Sequence, residues 1–459
     1  MGRAPGPVVA AVGVTVAVAG LGVLPGVASA HDVTGSRFQA PVPLGLLLVG
    51  AAGTVGATGL WLARREHSPT TGGERRVLTG PVLPARLLRG AASGLFLAGV
   101  VAVLWAGFTG RQVVTDNVAT VFTWPVWFRG VALLAVLAGT PWRTLAPWQT
   151  VYRGVCRLEG GQVALRTYPS WLGAWPALAG FLLLVGVVET LTVIPRSPRL
   201  TAAVVAGYAL VMVGGAVLFG PTWFDRADPL GILYRLFGRV AGVSVGRTDA
   251  GAMTVALRRP WTACQRAVGG PALAVFVVAA VYTVSFDGFT NTRPYQAVLF
   301  SIRDSLGTGP ATSIGLYAVG LVAFLAVFVA AVAAGDRLAG GVSPGAGLEA
   351  FAPTVLPIAA AYEVAHNYPY VLRSTARLAE LVGGVALPDP LGWLPLSAFW
   401  ATQVSLVVAG HVVAVVAAHG VTAQRYGLAD ARRGHLPLLA VMVAYTLVSL
   451  WVVSASVVG

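Results

Sequence analysis

The chain has 459 residues, of which 56% are hydrophobic and only 10% are charged. A soluble domain is about one quarter charged, so a chain of this length could not cover a globular surface with polar groups. The composition therefore excludes a soluble enzyme, a disordered tail and a collagen. It indicates an all-α polytopic membrane protein, whose first partner is the lipid bilayer.

The basic residues follow the pattern of membrane topology signals. The net charge is +14, all 31 basic residues are arginine, and most of them lie between apolar runs. A phosphate-binding surface would instead concentrate them in one stripe. We therefore expect no nucleic-acid partner.

The N-terminus has the three parts of a signal peptide, which we predict over residues 1–30. Arg3 is the positive charge, residues 8–24 are apolar, and Ala28-Ser29-Ala30 fits a cleavage site. Cleavage would make His31 the new N-terminus and leave residues 31–459 as a single transmembrane helical domain. An uncleaved first span is the alternative.

About ten later apolar runs are long enough to cross a hydrocarbon core of roughly 30 Å. They lie near 41–63, 91–110, 118–140, 174–195, 201–220, 271–288, 312–334, 350–372, 397–419 and 437–457. If His31 is outside, alternation places most loop arginines inside, as the positive-inside rule requires. This predicts a multi-pass plasma-membrane protein with both termini outside and cytoplasmic loops at 64–90, 141–173 and 221–270.

Two of the predicted cytoplasmic loops repeat one pattern of tryptophan, proline, tyrosine and arginine. Residues 144–158 and 230–240 can each form a short interfacial helix with one apolar face and one arginine-bearing face. We predict short strands at 163–166 and 255–258, as parts of small hairpins. A scaffold on the cytoplasmic side is one interpretation, and a docking site for a partner or a lipid is the other.

Ionisable side chains in hydrocarbon are costly, so each one is a candidate site residue. Those in the predicted spans or at their outer rim include Arg129, Glu189, Asp287, Glu363, His366 and His411. At about 1.5 Å of helix rise per residue, most of them lie in the outer half of the membrane. They predict a polar pocket that opens outward.

Glu363 and His366 form a Glu-x-x-His pair on one helix face, where a carboxylate and an imidazole can reach the same ion. Glu189 and Gln403 lie at a similar depth and could complete a metal site. The alternative is a buried ion pair of Glu363 or Glu189 with Arg129.

Three further histidines have different expected environments. His411 lies in the middle of the membrane and is either a ligand or an interhelical hydrogen-bonding group. His419, near the inner end of its span, is expected to be solvated. An N-terminal His31 would offer its amine and its imidazole together, which suits copper; the alternative is an ordinary residue after a cleavage site.

Together these segments resemble the membrane-bound fenitrothion hydrolase-like family over most of the mature chain. The resemblance is carried by Ala30-His31, Trp142 to Trp148, Trp223 to Arg239, Ser285 to Phe289, Ala352-Pro353-Thr354, Ala361-Tyr362, Ala365-His366, Ala409-Gly410-His411 and Ala418-His419. It implies a metal-dependent hydrolase of lipophilic phosphotriesters, assembled with a related membrane subunit or with a second copy.

The resemblance also suggests roles for the polar residues. A divalent ion (zinc, manganese or copper) would be held by His366, Glu363, His411 and His31, and would activate a water molecule. Glu189 would act as the general base and Arg129 would stabilise negative charge. Asp287 would act beside them at the mouth of the pocket.

Two other classes of function remain open. A transporter or metal-handling membrane protein would need a path to both faces, whereas a hydrolase needs access from one. A structural subunit of a membrane complex would show a closed, fully ion-paired interior.

Overall fold

A computed structural model gives the fold, and it describes residues 42–64, 75–80, 82–247, 253–340 and 344–458. The predicted signal peptide and His31 lie outside the described residues. Helices dominate the described part of the chain, and nine of them are long and apolar enough to cross a membrane. The predicted all-α polytopic class is confirmed.

Each predicted span overlaps a helix. The first half of the chain contains α1 (Leu44–Ala63), β1 (Arg75–Gly80), α2 (Val82–Thr109), α3 (Val118–Ala138), α4 (Trp142–Leu145), α5 (Pro147–Leu158), α6 (Trp175–Glu189), α7 (Pro198–Phe219), α8 (Thr222–Arg226) and α9 (Pro229–Phe237). The second half contains β2 (Val243–Arg247), β3 (Met253–Leu257), α10 (Pro271–Thr290), α11 (Arg293–Leu306), α12 (Ala311–Leu338), α13 (Pro344–Phe351), α14 (Leu356–Gly383), α15 (Leu396–Gly427) and α16 (Asp430–Ser454).

The long helices end at two opposite faces. The upper face carries the connections 110–117, 190–197 and 384–395, and the lower face carries 139–174 and 220–270. On the upper face, Arg377 Nη2 lies 2.6 Å from Asp116 Oδ1. On the lower face, Arg143 Nη2 lies 3.4 Å from Asp225 Oδ1. The upper face corresponds to the side on which the predicted pocket should open.

The lower face contains the short helices and one of the two short strands that the sequence predicts there. Helices are present at both segments predicted to be interfacial, as α4 with α5 and as α9. Helix α9 is largely buried within the protein, however, and its Tyr234 donates to Phe128 O of α3. The predicted strand at 255–258 is part of β3, which pairs antiparallel with both β1 and β2. The strand predicted at 163–166 is wrong, because the amides of Leu165 and Arg166 donate to Val217 O and Leu218 O at the end of α7.

The core of the molecule is built around α10 and around the segment that contains α14, in which 72% of the most apolar stretch is buried. In α1, α2, α7 and α12 only 22% of the corresponding stretch is buried, so these helices lie at the periphery. Peripheral apolar side chains such as Leu95 (77% exposed) and Trp105 (74% exposed) point away from the protein. Such surfaces are expected to contact lipid.

Two glycine contacts show how closely α15 and α16 pack on other helices. A Cβ at Gly410 of α15 would lie 2.7 Å from the carbonyl oxygen of Pro357 in α14. A Cβ at Gly59 of α1 would lie 2.4 Å from the Leu439 side chain of α16. Small residues at these crossings let helix backbones approach, as in other membrane helix pairs. The Gly410 contact fixes α15 against the helix that carries Glu363 and His366.

Candidate functional site

Arg129 lies at the centre of a buried cluster of acidic side chains. Its Nη1 is 2.8 Å from Glu363 Oε2, and its Nη2 is 2.5 Å from Glu189 Oε1 and 3.8 Å from Asp287 Oδ2. The four residues come from α3, α14, α6 and α10. We call them the arginine centre. The buried ion pair, which the sequence left as the alternative to a metal site, is therefore present with three carboxylates.

The arginine centre carries more negative than positive groups. With all four side chains ionised, three carboxylates and one guanidinium give a net charge of −2. Buried charge is costly unless it is paired and hydrogen-bonded. The centre is therefore expected to attract a proton or a cation.

The burial of the four side chains is graded. Glu363 and Arg129 are 2% and 5% exposed, whereas Glu189 and Asp287 are 11% and 13% exposed. His366, one helical turn from Glu363 towards the upper face, is half-buried. The two more accessible carboxylates, Glu189 and Asp287, lie in the last turns of α6 and α10, on the upper side of the centre.

Two π-helical segments converge on the centre. Phe122–Arg129 in α3 and Leu182–Glu189 in α6 both have this rare geometry, and each ends at the residue that forms the ion pair. A π turn adds a residue to the helix and re-aims the side chains that follow, and such turns are frequent at functional sites. They were not predicted, because hydrophobic periodicity does not distinguish a π segment from an α-helix; Pro125 was the one local signal in the sequence.

Helix α14 carries Glu363 and His366 and is adapted to an internal proline. Pro369 has no amide hydrogen, so it leaves the carbonyl of Ala365 without its normal helical donor. Gln403 Nε2 of α15 donates to that carbonyl at 3.3 Å. Gln403, predicted at the level of the pocket, thus stabilises the helix that holds the site.

Asp287 lies in the last turn of α10, next to a required glycine. A Cβ at Gly288 would lie only 2.2 Å from the Tyr362 hydroxyl, so a larger residue there would push α10 away from α14. Tyr362 in turn stacks on His366, with ring centroids 5.8 Å apart. This packing holds Asp287 and His366 on the same side of the centre.

His411 is not part of this arrangement. Its Nδ1 is 2.9 Å from Val407 O, and its ring packs 5.7 Å from that of Tyr445. The neighbouring Gly410 contacts Pro357 and Ala361, which lie on the lower side of Glu363 in α14. His411 therefore lies below the arginine centre.

The described residues among the predicted metal ligands do not all lie together in this arrangement. Arg129 already binds one oxygen of Glu363 and one of Glu189, and His411 lies elsewhere. Within the described ranges, no group of three or more histidine, cysteine or acidic side chains could hold a metal. The guanidinium of Arg129 occupies the place where a cation would balance these carboxylates.

An aromatic layer packs against the segment of α3 that carries Arg129. It consists of Trp127, Trp142, Trp148 and Tyr234, which are all at most 2% exposed; Trp127 stacks on Trp142, and Trp148 and Tyr234 meet Trp142 edge-on. Tyr234 donates its hydroxyl to Phe128 O at 3.0 Å. This bond places the layer directly beside Arg129, the next residue in α3.

Asp228 hydrogen-bonds two tryptophans of the aromatic layer. It is fully buried, and its Oδ2 accepts from Trp142 Nε1 at 2.8 Å and from Trp148 Nε1 at 3.4 Å. Tyr208 and the amide of Gly231 donate to its Oδ1. Burial raises the pKa of Asp228, and these donors oppose the shift. The sequence did not reveal this role, because Asp228 reads as an ordinary helix cap before Pro229.

His419 is not solvated, contrary to expectation. It is only 2% exposed and lies beside His435, which the sequence analysis did not single out. His435 follows two arginines and a glycine, a stretch typical of a loop, so its burial had no signal in the sequence.

No protein-family model, curated protein or solved structure matches the chain. Its function is therefore inferred from the chemistry of the arginine centre.

Proposed function

We propose that the chain is a membrane-embedded hydrolase in which the arginine centre performs acid–base chemistry on a lipophilic substrate. One observation carries the proposal: three carboxylates from separate helices share a single buried guanidinium. Ionisable groups this deep in a membrane protein are rare and usually functional.

Graded exposure of the centre favours a hydrolase over a transporter. Exposure increases from Glu363 to Asp287, towards the upper face. We infer that a substrate enters from that face. A hydrolase needs one entrance, whereas a transporter must reach both faces.

The proposed reaction is the hydrolysis of a neutral phosphotriester, the substrate class that the resemblance implies. Glu189, the more exposed of the two carboxylates that are hydrogen-bonded to Arg129, accepts a proton from water as the water oxygen attacks phosphorus. The phosphorus–oxygen bond to the leaving group breaks, and the leaving oxygen takes up a proton from His366. The products are a phosphodiester and an alcohol. We assign Asp287 the role of stabilising the protonated imidazole of His366.

A divalent zinc, manganese or copper ion at this centre remains a separate proposal. Glu363 Oε1 is buried without a hydrogen-bond partner and could serve as one ligand. However, Arg129 would have to leave its carboxylates before an ion could bind them. Elemental analysis of purified wild-type protein and of Glu363→Gln tests this, and the acid–base proposal does not depend on the result.

We also propose that the upper face is the outer face of the plasma membrane, with both ends of the mature chain outside. The arginines of the lower loops support this orientation. A lipophilic triester could then enter from the outer leaflet. A related subunit or a second copy of this chain is the proposed partner, in line with the small residues on several helix faces.

A nitrophenyl dialkyl phosphate tests the hydrolase on protein reconstituted in liposomes. Wild type should release nitrophenol and place one oxygen of labelled water in the phosphodiester. Glu189→Gln should lower the rate by about 10²–10⁴-fold, the usual contribution of a general base. Glu380→Gln, which removes an exposed carboxylate bound to Arg377 on the upper face, is the matched control and should not change the rate. Equal rates for wild type and Glu189→Gln would contradict the proposal.

A transporter is the second candidate, because α3 and α6 both lose regular helical geometry at the centre. Interrupted helices at mid-membrane are typical of transporter binding sites. Substrate-dependent proton uptake into proteoliposomes without hydrolysis would favour it. Absence of both activities would leave the structural subunit.

A further inference from the structure

Two histidines face each other near the lower face, far along the chain from the arginine centre. His419 of α15 and His435 of α16 have ring centroids 5.5 Å apart and planes inclined by 86°. They are 2% and 0% exposed. Helices α15 and α16 form a hairpin that turns at Gly427, where φ is 77°, so the two rings come together as its arms converge.

All four ring nitrogens of this pair lack a hydrogen-bond partner among the described residues. Buried side-chain polar atoms nearly always have one. A neutral imidazole carries one donor and one acceptor, and both remain unmatched on each ring. Two neighbouring imidazoles with unmatched nitrogens are typical of a site that binds a ligand.

Gln265 is a third buried polar side chain, and it packs on the same helix as His419. It is 6% exposed, and both its amide oxygen and its amide nitrogen lack partners. It packs on Gly420, the residue after His419, where a Cβ would lie 2.1 Å from Gln265 Nε2. Because residue 420 is glycine, the Gln265 amide can pack directly against α15, the helix that carries His419.

We propose that His419, His435 and Gln265 form a binding site for a divalent transition-metal ion, distinct from the arginine centre. Two imidazoles that bind one ion at about 2.0–2.1 Å, at an angle between tetrahedral and trigonal, have ring centres roughly 5–6 Å apart. The observed separation of 5.5 Å agrees. Imidazole nitrogen suits zinc, copper, nickel and cobalt, and an amide oxygen can complete the set.

A bound ion would fix the hairpin of α15 and α16 at its lower end. It would also attach the hairpin to the turn that contains Gln265, at Ala263–Gln265. The site lies on the lower face, which we propose to be cytoplasmic. The inference does not rest on the proposed hydrolase, since no residue is shared between the two sites.

Cobalt titration of the full-length chain, purified in detergent and treated with a chelator, tests the site. Wild type should bind one Co²⁺ with the visible absorption of a four-coordinate ion. His419→Leu and His435→Leu should each abolish this absorption, and Gln265→Leu should weaken binding about tenfold. His435→Cys should retain the ion and add the charge-transfer band of a cobalt–thiolate bond.

Two controls separate this site from the rest of the molecule. Thr422→Val, one turn from His419 and hydrogen-bonded within its own helix, should bind Co²⁺ like wild type. Glu363→Gln should also leave this absorption unchanged, because it alters only the arginine centre. Identical cobalt spectra for wild type and for a monodisperse, helical His419→Leu protein would overturn the proposal, and so would a folded wild type that binds no Co²⁺.

Discussion

Nη1 of Arg129 lies 2.8 Å from Oε2 of Glu363, although 234 residues separate the two in the chain. Both side chains are at most 5% exposed. The contact joins α3 to α14 in the interior of the helical bundle. The stability of the fold and the chemistry of the centre should therefore depend on the same ion pair.

Removal of the guanidinium should strongly destabilise the protein. Arg129→Met leaves three buried carboxylates without their cation, and breaking a buried pair in this way costs about 3–5 kcal/mol. Thermal unfolding in detergent, followed by circular dichroism, measures the loss. The double variant Arg129→Met/Glu363→Gln should recover part of it.

The matched control for Arg129 is an exposed ion pair. Arg373 and Asp389 lie 3.2 Å apart with side chains 43% and 46% exposed. Arg373→Gln should cost about 0–1 kcal/mol, as exposed pairs do. Equal destabilisation by Arg129→Met and Arg373→Gln would mean that Arg129 is not buried as described.

Gln403 should matter because of Pro369. Gln403→Leu leaves the carbonyl of Ala365 without a donor in a buried setting, which should cost about 1–3 kcal/mol. Pro369→Ala supplies a backbone amide to the same carbonyl. In that background, Gln403→Leu should cost clearly less. A double-mutant cycle by thermal unfolding measures the difference, and simple additivity of the two changes would refute the explanation.

Acid should weaken one contact on the upper face. The hydrogen bond from Arg377 and that from Thr115 lower the pKa of Asp116 below its ordinary 3.8. Because the folded-state pKa is the lower one, the stabilisation is present above pH 3.8 and is lost as the pH falls through the folded value. The difference in melting temperature between wild type and Asp116→Asn should therefore shrink as the pH drops from 6 to about 3. A constant difference would exclude this contact.

The two cysteines should react very differently. Both are free, Cys156 is half-buried, and Cys264 is fully buried. Burial raises the pKa of the Cys264 thiol to about 12, so little thiolate forms near neutral pH. A maleimide should label Cys156 and leave Cys264 intact until the protein is unfolded.

The same labelling tests the proposed orientation. In intact cells, a membrane-impermeant maleimide should reach Cys156 only after permeabilisation, because we place α5 on the cytoplasmic face. Labelling of Cys156 from outside would reverse the topology, and mass spectrometry of the two cysteine peptides distinguishes the outcomes.

Much of the fold was predictable because hydrophobic runs and arginine-rich loops reflect the membrane directly. The run at 41–63 corresponds to α1, and the interfacial helix at 230–240 to α9. Helix α14 extends to Gly383, well past the predicted limit at 372, because Arg373 and Arg377 find acidic partners beyond the apolar region. Apolar content thus marks the part of a helix in lipid and not the end of the helix.

The candidate site was predictable in its residues but not in its pairing. Rare charges in apolar runs identified Arg129, Glu189 and Glu363, yet which of them meet depends on helix rotation. The π segments that end at Arg129 and Glu189 arise from packing and leave the residue pattern unchanged. His435 was missed for a related reason, since its burial depends on how α16 folds back on α15.

The infrared spectrum of the carboxyl groups tests the arginine centre as an acid–base site most directly. The excess of two negative charges at this buried place predicts that at least one of its carboxyl groups holds a proton. Wild type in liposomes should show the carbonyl stretch of a protonated acid, shifted in D₂O, that is absent from Glu189→Gln/Asp287→Asn/Glu363→Gln. A band of equal intensity in both proteins would contradict the account.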